Sequence, residues 1–116
     1  MAYVEGFALA VPHANRQTYE KMAVVAAHVY KEHGALSVIE SWGDDVPDGG
    51  ITSFPMAVKA KADEAVVFSW VLWPSREARD AGNAKVFADP RMKPTADAPF
   101  DSKRMIYGGF EVFVEA

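Results

Sequence analysis

Three glutamates, Glu5, Glu40 and Glu111, stand in stretches of chain that are otherwise largely apolar. A carboxyl group taken out of water is costly to ionise unless it is paired or hydrogen-bonded, and two carboxyls held close together push one pKa upward. Either arrangement yields a general acid or base that can abstract and return a proton. Among the three, Glu40 is the candidate catalytic residue, because Trp42 follows on the same side of an extended chain and could wall a pocket. The ordinary alternative for each is a place at a sheet edge, paired with a lysine or arginine.

A second set of candidates is basic and aromatic. In the segment after Ser75, Arg79 and Asn83 share a helical stripe with Gly82 and Val86, so two polar groups are expected to look toward a sheet. Together with Arg104, Arg79 could hold a carboxylate through paired guanidinium hydrogen bonds. Against this, Arg76 and Asp80 in the same segment have the spacing of a plain surface ion pair. Trp42, Trp70, Trp73 and Tyr107 could line an aromatic ligand cavity, although core or interface packing is the commoner use of such residues. The expected ligand-binding set is therefore Trp42, Trp70, Arg79, Asn83, Arg104 and Tyr107.

Other chemistries lose support. Asp44, Asp45 and Asp48 lack the alternating spacing and terminal glutamate of a calcium loop, and turn formation accounts for them. His13, His28 and His33 form no ligand pair at a useful spacing, so no metal site is expected. The chain has no cysteine, which removes thiolate nucleophiles, disulfides and cysteine zinc sites. It also has no phosphate-binding glycine loop and no nucleophile elbow, so no cofactor is implied.

The elements that must position these residues follow from periodicity. Ala65 to Trp73 is apolar at almost every position and rich in β-branched and aromatic residues, the pattern of a buried strand with Val66, Phe68, Trp70 and Leu72 on one face and Val67, Ser69, Val71 and Trp73 on the other. It is too short to span a membrane. Ser69 is its lone polar side chain and marks a place for a cavity or an ordered water. Before it, Tyr3 to Val11 alternates large and small residues as a strand. Tyr19, Met22, Ala23, Ala26, Val29, Tyr30 and His33 then mark an amphipathic helix, with Asn15 as N-cap, Gly34 beyond its end and His28 facing solvent. Ala35 to Asp44 reads as a second strand. The turn-forming run from Gly43 to Gly50 opens a long flap, within which Phe54 to Lys61 could form a short helix starting at Pro55. Ser75 caps a helix from Arg76 to about Asp89. An irregular run from Asp89 to Asp101, including Pro94, leads to a last strand from Arg104 to Val114.

At 116 residues, half of them apolar and 24% charged, the chain is expected to form one ordered globular domain spanning residues 1–116. Its net charge of −4 argues against a nucleic-acid partner. The opening Met1-Ala2-Tyr3-Val4-Glu5-Gly6 has no basic stretch followed by an apolar one, so a cytoplasmic protein is expected. The order strand, helix, strand, strand, helix, strand gives an α+β, ferredoxin-like βαββαβ fold with an antiparallel sheet of order 4-1-3-2. Two helices cover one face of four strands, while the third and fourth strands are large and apolar on both faces. An uncovered face of this kind exceeds the ~300–600 Å² patch of a typical soluble monomer, so a homodimer paired sheet to sheet is expected. The other solution is for the flap and the 90–103 segment to fold back over that face.

The runs Gly43-Asp44-Asp45-Val46-Pro47, Thr52-Ser53-Phe54-Pro55, Val66-Val67-Phe68-Ser69-Trp70, Asp89-Pro90-Arg91-Met92 and Pro99-Phe100-Asp101-Ser102-Lys103-Arg104-Met105-Ile106-Tyr107-Gly108-Gly109-Phe110 resemble the YbaA-like family of uncharacterised bacterial proteins. The resemblance covers nearly the whole chain. It implies the dimeric α/β-barrel superfamily, whose ferredoxin-like protomers pair sheet to sheet and whose members include cofactor-independent monooxygenases, haem-degrading enzymes, chlorite dismutase-like proteins and muconolactone isomerase-like proteins. It implies no catalytic residues, because the family has no established activity. The expected function is binding of a small organic molecule in a cleft of each protomer of a homodimer, with cofactor-independent monooxygenase or isomerase chemistry. The alternative is a non-enzymatic binding or stress-associated accessory protein acting through protein partners.

Overall fold

The computed structural model describes residues 1–93 and 98–116. Residues 94–97, which carry part of the irregular run expected around Pro94, lie outside the described chain. Strand β1 (Tyr3–Pro12) leads through a single 3-10 turn (His13–Asn15) into helix α1 (Arg16–Glu32) and strand β2 (Ser37–Trp42). A one-turn helix α2 (Phe54–Ala57) sits in the flap before strand β3 (Glu64–Trp73), helix α3 (Arg76–Ala88) and strand β4 (Ile106–Glu111). The four strands form one antiparallel sheet of order β2-β3-β1-β4, the expected 4-1-3-2 order. No helix is long and apolar enough to cross a membrane among the described residues.

Strand alternation decides what meets the helices. On β3 it is Val67, Ser69, Val71 and Trp73, all buried, which face the helix layer opposite Leu9, Phe7, Glu5 and Tyr3 of β1. Under α1 the core consists of Leu9, Val11, Tyr19, Ala23 and Val67. Under α3 it consists of Tyr3, Ala35, Val71 and Trp73. Helix α3 starts where Ser75 Oγ accepts the Ala78 backbone N–H at 3.1 Å, with Glu77 in the first turn to complement the helix dipole. Helix α1 stops before Gly34, whose φ of 110° suits a residue without a side chain.

The opposite face is covered in part. Val58, just after α2, packs with Ala8, Ala10 and Val66, and the Phe54 ring meets Phe68 edge-on at 5.8 Å. The flap therefore closes one end of this face. The chain approaching β4 does not join it: Phe100 and Met105 pack on the helix side, against the α1 core. Ile39, Phe68, Ile106 and Phe110 remain exposed on the rest.

Some element limits differ from those read in the sequence, each for a traceable reason. Asn15 makes no side-chain cap on α1; its Nδ2 instead donates to the Pro99 carbonyl at 3.0 Å, tying the approach to β4 onto the start of the helix. Strand β4 ends at Glu111 rather than Val114, because β1 is its only neighbour and Glu111 already opposes Tyr3 at the start of β1. One further bond, from Val112 N to Ala2 O, uses up the remaining backbone there. Strand β2 is shorter at both ends than Ala35 to Asp44, and Ala35 turns into the core ahead of it.

Helix α3 approaches the sheet closely at Gly82. A Cβ added there would stand 2.8 Å from the His33 carbonyl oxygen and run into the Trp73 indole. Alanine gains up to about 1 kcal/mol of helix propensity over glycine, but overpacking of a rigid site costs about 1–3 kcal/mol. Gly82→Ala is therefore expected to lower the urea unfolding midpoint at unchanged m-value; a raised midpoint would show that α3 can lift away freely.

Candidate functional site

In an antiparallel sheet directly opposed residues project to the same side. The register aligns Tyr107, Phe7, Ser69 and Glu40 as one row across β4, β1, β3 and β2 on the helix side. Helix α1 lays Tyr19, Met22, Ala26 and Tyr30 above that row, at spacings that keep them on one stripe. Between the two is a cleft of about 200 Å³ bordered by Phe7, Tyr19, Tyr30, Glu40, Ser69 and Phe100. The Phe100 ring stands edge-on to Tyr19 at 5.8 Å, held there through the Asn15 to Pro99 bond.

The Tyr19 hydroxyl donates to Glu40 Oε1 at 2.7 Å. On the far side of this pair a second depression, of about 420 Å³, runs between α1 and the edge strand β2, with Trp42 and Val67 in its wall. The Arg16 guanidinium lies 4.7 Å above the Trp42 ring and pairs with Glu20 at 3.1 Å. Glu40 and Tyr19 border both spaces. As a residue of an edge strand Glu40 is exposed, yet loss of water around its carboxyl group, turned onto Tyr19, is the main influence on its titration. Burial raises its pKa above the ordinary carboxylate value, and the Tyr19 hydrogen bond offsets part of that rise. Burial also raises the Tyr19 pKa, with the Glu40 charge adding to it. Tyr30 is pushed up to about 12, first by burial and then by the charges of Glu5 and Glu40.

A second polar cluster lies under α3. Buried Glu5 accepts from Trp73 Nε1 at 3.0 Å and from Asn83 Nδ2 at 2.9 Å, and the Arg79 guanidinium is 3.5 Å from its Oε2. Arg79 also donates to the Tyr3 hydroxyl at 3.0 Å and lies over the Tyr3 ring at 4.9 Å. Arg79 and Asn83 thus do look toward the sheet, and the group they meet is Glu5. Among the described residues Asn83 Oδ1 is buried with no partner, and Arg79 Nε, 3.0 Å from Asp80 Oδ1, is not aligned for a hydrogen bond.

The remaining candidates are scattered. Arg104 does not approach Arg79: it grips Glu64 with two bonds of 2.7 Å, donates to the Lys59 carbonyl at 2.9 Å and to Asp101 at 3.1 Å. Glu64 opposes Pro12 at the end of β1 remote from Glu5, a separation of about 24 Å at ~3.4 Å per strand residue. The Trp70 ring projects from the other face of the sheet beside Phe68, with ring centroids 5.6 Å apart, while the residue also borders the Tyr19 cleft from β3. Tyr107 stands exposed on edge strand β4, stacked on Phe7 at 6.4 Å. Glu111 is exposed and opposes Tyr3. The set therefore divides into Glu40 with Trp42 in one depression and with Trp70 in the other, Arg79 with Asn83, and two separate residues, Arg104 and Tyr107. Sequence reasoning missed Tyr19, although a tyrosine on a core-facing stripe carries its own signal: a buried hydroxyl needs a partner. Among the described residues no cluster of three or more histidine, aspartate and glutamate side chains could hold a metal.

Residues 2–102 match a family described as "Protein of unknown function (DUF1428)". The chain is 54% identical, over 99% of both lengths, to the "Uncharacterized protein YbaA" of Escherichia coli K12, and equally so to that of Shigella flexneri. The chain belongs to this family. The YbaA-like fold is shared more widely: a crystal structure of a mutant of MhuD with two manganese protoporphyrin IX bound per active site matches at a TM-score of 0.61 and 19% identity, over 98% of this chain and 97% of that one. At that identity the likeness speaks for the α+β ferredoxin-like architecture.

The Arg104 cluster has a measurable consequence. Its hydrogen bonds, more than any other influence, hold the Glu64 pKa down to about 2 from 4.5. A carboxylate with a depressed folded-state pKa stabilises the fold above its unfolded pKa, and that contribution disappears as pH falls through the folded value. The stability gap between the wild type and Arg104→Gln in urea should therefore be widest above about pH 5 and narrow steadily toward about pH 2. A gap of constant width across that window would mean that the pair contributes nothing through ionisation.

Proposed function

We propose that this protein binds a small organic molecule in the cleft beneath Tyr19, in each protomer of a homodimer, and that Glu40 transfers a proton on that molecule. The observation that carries this reading is the 2.7 Å bond from the Tyr19 hydroxyl to a Glu40 carboxyl whose pKa is raised by burial, at the wall of a largely apolar cleft. A carboxyl with a raised pKa is a stronger base when ionised and is more often available as an acid near neutrality. Tyr19 engages Oε1 with its one hydroxyl proton, so Oε2 is the oxygen that meets a ligand proton, while the Ser69 hydroxyl is the donor left for a developing oxyanion. Such a set suits keto–enol isomerisation, in which a proton moves between carbon and the hydroxyl-bearing enol form, better than it suits oxygen insertion. Arg79 and Asn83 serve this site indirectly by keeping the sheet and α3 together, and Trp42 walls the outer groove.

The occurrence of a small-molecule site in the MhuD structure supports a ligand-binding role for this architecture in general terms. The ligand here is smaller than a porphyrin: about 200 Å³ is below the ~300–1,000 Å³ of pockets that hold drug-sized molecules, and no histidine borders the cleft among the described residues. The homodimer rests on the exposed Ile39, Phe68, Ile106 and Phe110 of the uncovered sheet face. That same patch favours the second reading, an accessory protein that meets other proteins there.

Two measurements test the proposal. Sedimentation at micromolar concentration should give twice the 12.7 kDa chain mass, and a single species of 12.7 kDa would remove the homodimer. Carbon NMR of the glutamate carboxyls should find Glu40 titrating above free glutamate. In Tyr19→Phe the midpoint should climb further, because the lost hydrogen bond was the one stabilising the carboxylate. A midpoint that stays put or falls would mean that the two groups are not coupled.

A further inference from the structure

We infer that the cleft beneath Tyr19 selects an uncharged, single-ring compound carrying a hydroxyl group, a phenol in the simplest case. This rests on the reading of the cleft as a ligand site and narrows it through size, lining and charge.

Size suits the cleft to one ring. A dry apolar cavity of about 150 Å³ is enough to take up benzene, so a cleft of about 200 Å³ is filled by one ring with a small substituent. The lining suits an aromatic ring in particular. Phe7, Tyr30 and Phe100 supply aromatic surface from β1, α1 and the approach to β4. Three of the chain's five methionines, Met22, Met92 and Met105, converge on the same space from separate segments. Thioethers adapt to irregular shapes and make favourable contacts with aromatic rings, so their convergence favours a flat ring over a chain.

Charge sets the remaining requirement. No lysine, arginine or histidine borders the cleft among the described residues, and residues 94–97 include none in their sequence. A carboxylate or phosphate placed there would be desolvated without a counter-ion and would lie beside the Glu40 carboxyl, so anionic ligands are rejected. A hydroxyl is accepted for the same reason, because it can donate a charge-assisted hydrogen bond to Glu40 and accept one from Ser69. The arginines that sequence reasoning offered for binding an anion are committed elsewhere, Arg79 to Glu5 and Arg104 to Glu64.

The test uses the full chain and four probes: phenol, benzene, benzoate and cyclohexanone, titrated by protein NMR at neutral pH. Phenol is expected to bind about tenfold more tightly than benzene, a difference of about 1.4 kcal/mol, and benzoate not to bind. Glu40→Gln should reduce the preference for phenol over benzene to threefold or less while leaving benzene affinity unchanged. Ala26→Leu, which fills the cleft from α1, should abolish binding of both while its unfolding midpoint confirms a folded chain. Equal affinity for phenol and benzene, benzoate binding as tightly as phenol, or phenol binding that survives Ala26→Leu would each overturn the inference. Cyclohexanone binding that Ala26→Leu removes, with no binding of phenol, would refute the ligand class but leave the cleft as a ligand site. Failure of all four probes would count against both.

Discussion

Trp73 is completely buried, and its indole N–H must find an acceptor away from water. It finds Glu5 at 3.0 Å, and much of the helix side of the sheet follows from that one bond. Glu5 is itself buried, so its second oxygen needs donors as well, and Asn83 and Arg79 of α3 provide them. Arg79 continues to Tyr3, back on the strand that carries Glu5. The indole ring makes its own demand: α3 must present Gly82 to it, and Tyr30 of α1 meets it edge-on at 6.1 Å. One side chain on β3 thereby fixes the places of β1, α1 and α3. Removing a single partner from such a set leaves a buried charge or donor unmatched, at a cost of about 3–5 kcal/mol for a fully buried ion pair.

The two interior-facing carboxyl groups show how position separates a closed polar cluster from an open one. Glu5 stands on a central strand, is approached by three donors from two elements, and has no free side left for a ligand. Glu40 stands on the edge strand β2, has one hydroxyl as partner, and borders open space on either side of it. A fully satisfied group is held by its surroundings and rigidifies them. A group with one bond and a free oxygen retains the capacity to take up another. The same side-chain type thus locks one half of the molecule and leaves an oxygen free in the other.

How much of this could be read in advance depends on sequence distance. Local periodicity reveals the six major elements and their order, and the shared stripe of Arg79 with Asn83 follows from helix geometry alone. What the pair meets does not, because Glu5 lies on β1, more than seventy residues earlier, and only the sheet register brings them together. The same holds for Arg104 with Glu64 and for Asn15 with Pro99. Trp70 and Trp73 are separable by alternation, but both faces of β3 are apolar, so nothing local says which of them meets the helices. Tyr19 is visible in the sequence as an apolar-stripe residue, while the partner of its hydroxyl, Glu40, lies 21 residues away and only the fold brings it near. Ser69 is the counterexample: one hydroxyl in an otherwise apolar strand was enough to mark the floor of the cleft.

The face of the sheet away from the helices carries a further distinction in its residue sizes. Where the flap comes down, β1 offers Ala8 and Ala10, small enough for Val58 to be wholly buried on them. Beyond the flap, Phe110 lies near Gly6 and Gly108, which oppose each other across β1 and β4, and Phe68 and Ile39 stand out from the neighbouring strands. Small side chains lie beneath Val58, and away from it the exposed side chains of this face are large and apolar, Phe68 at the edge of the flap and Phe110 beside the two glycines. A surface meant for water would reverse that order, since large apolar groups gain nothing from exposure. The flap is also anchored: Ser53 caps α2 by accepting from Met56, and Arg104 holds the Lys59 carbonyl just beyond it. The second copy proposed for the rest of the face would have to bring its own large residues against these, which a twofold pairing of identical sheets does by symmetry.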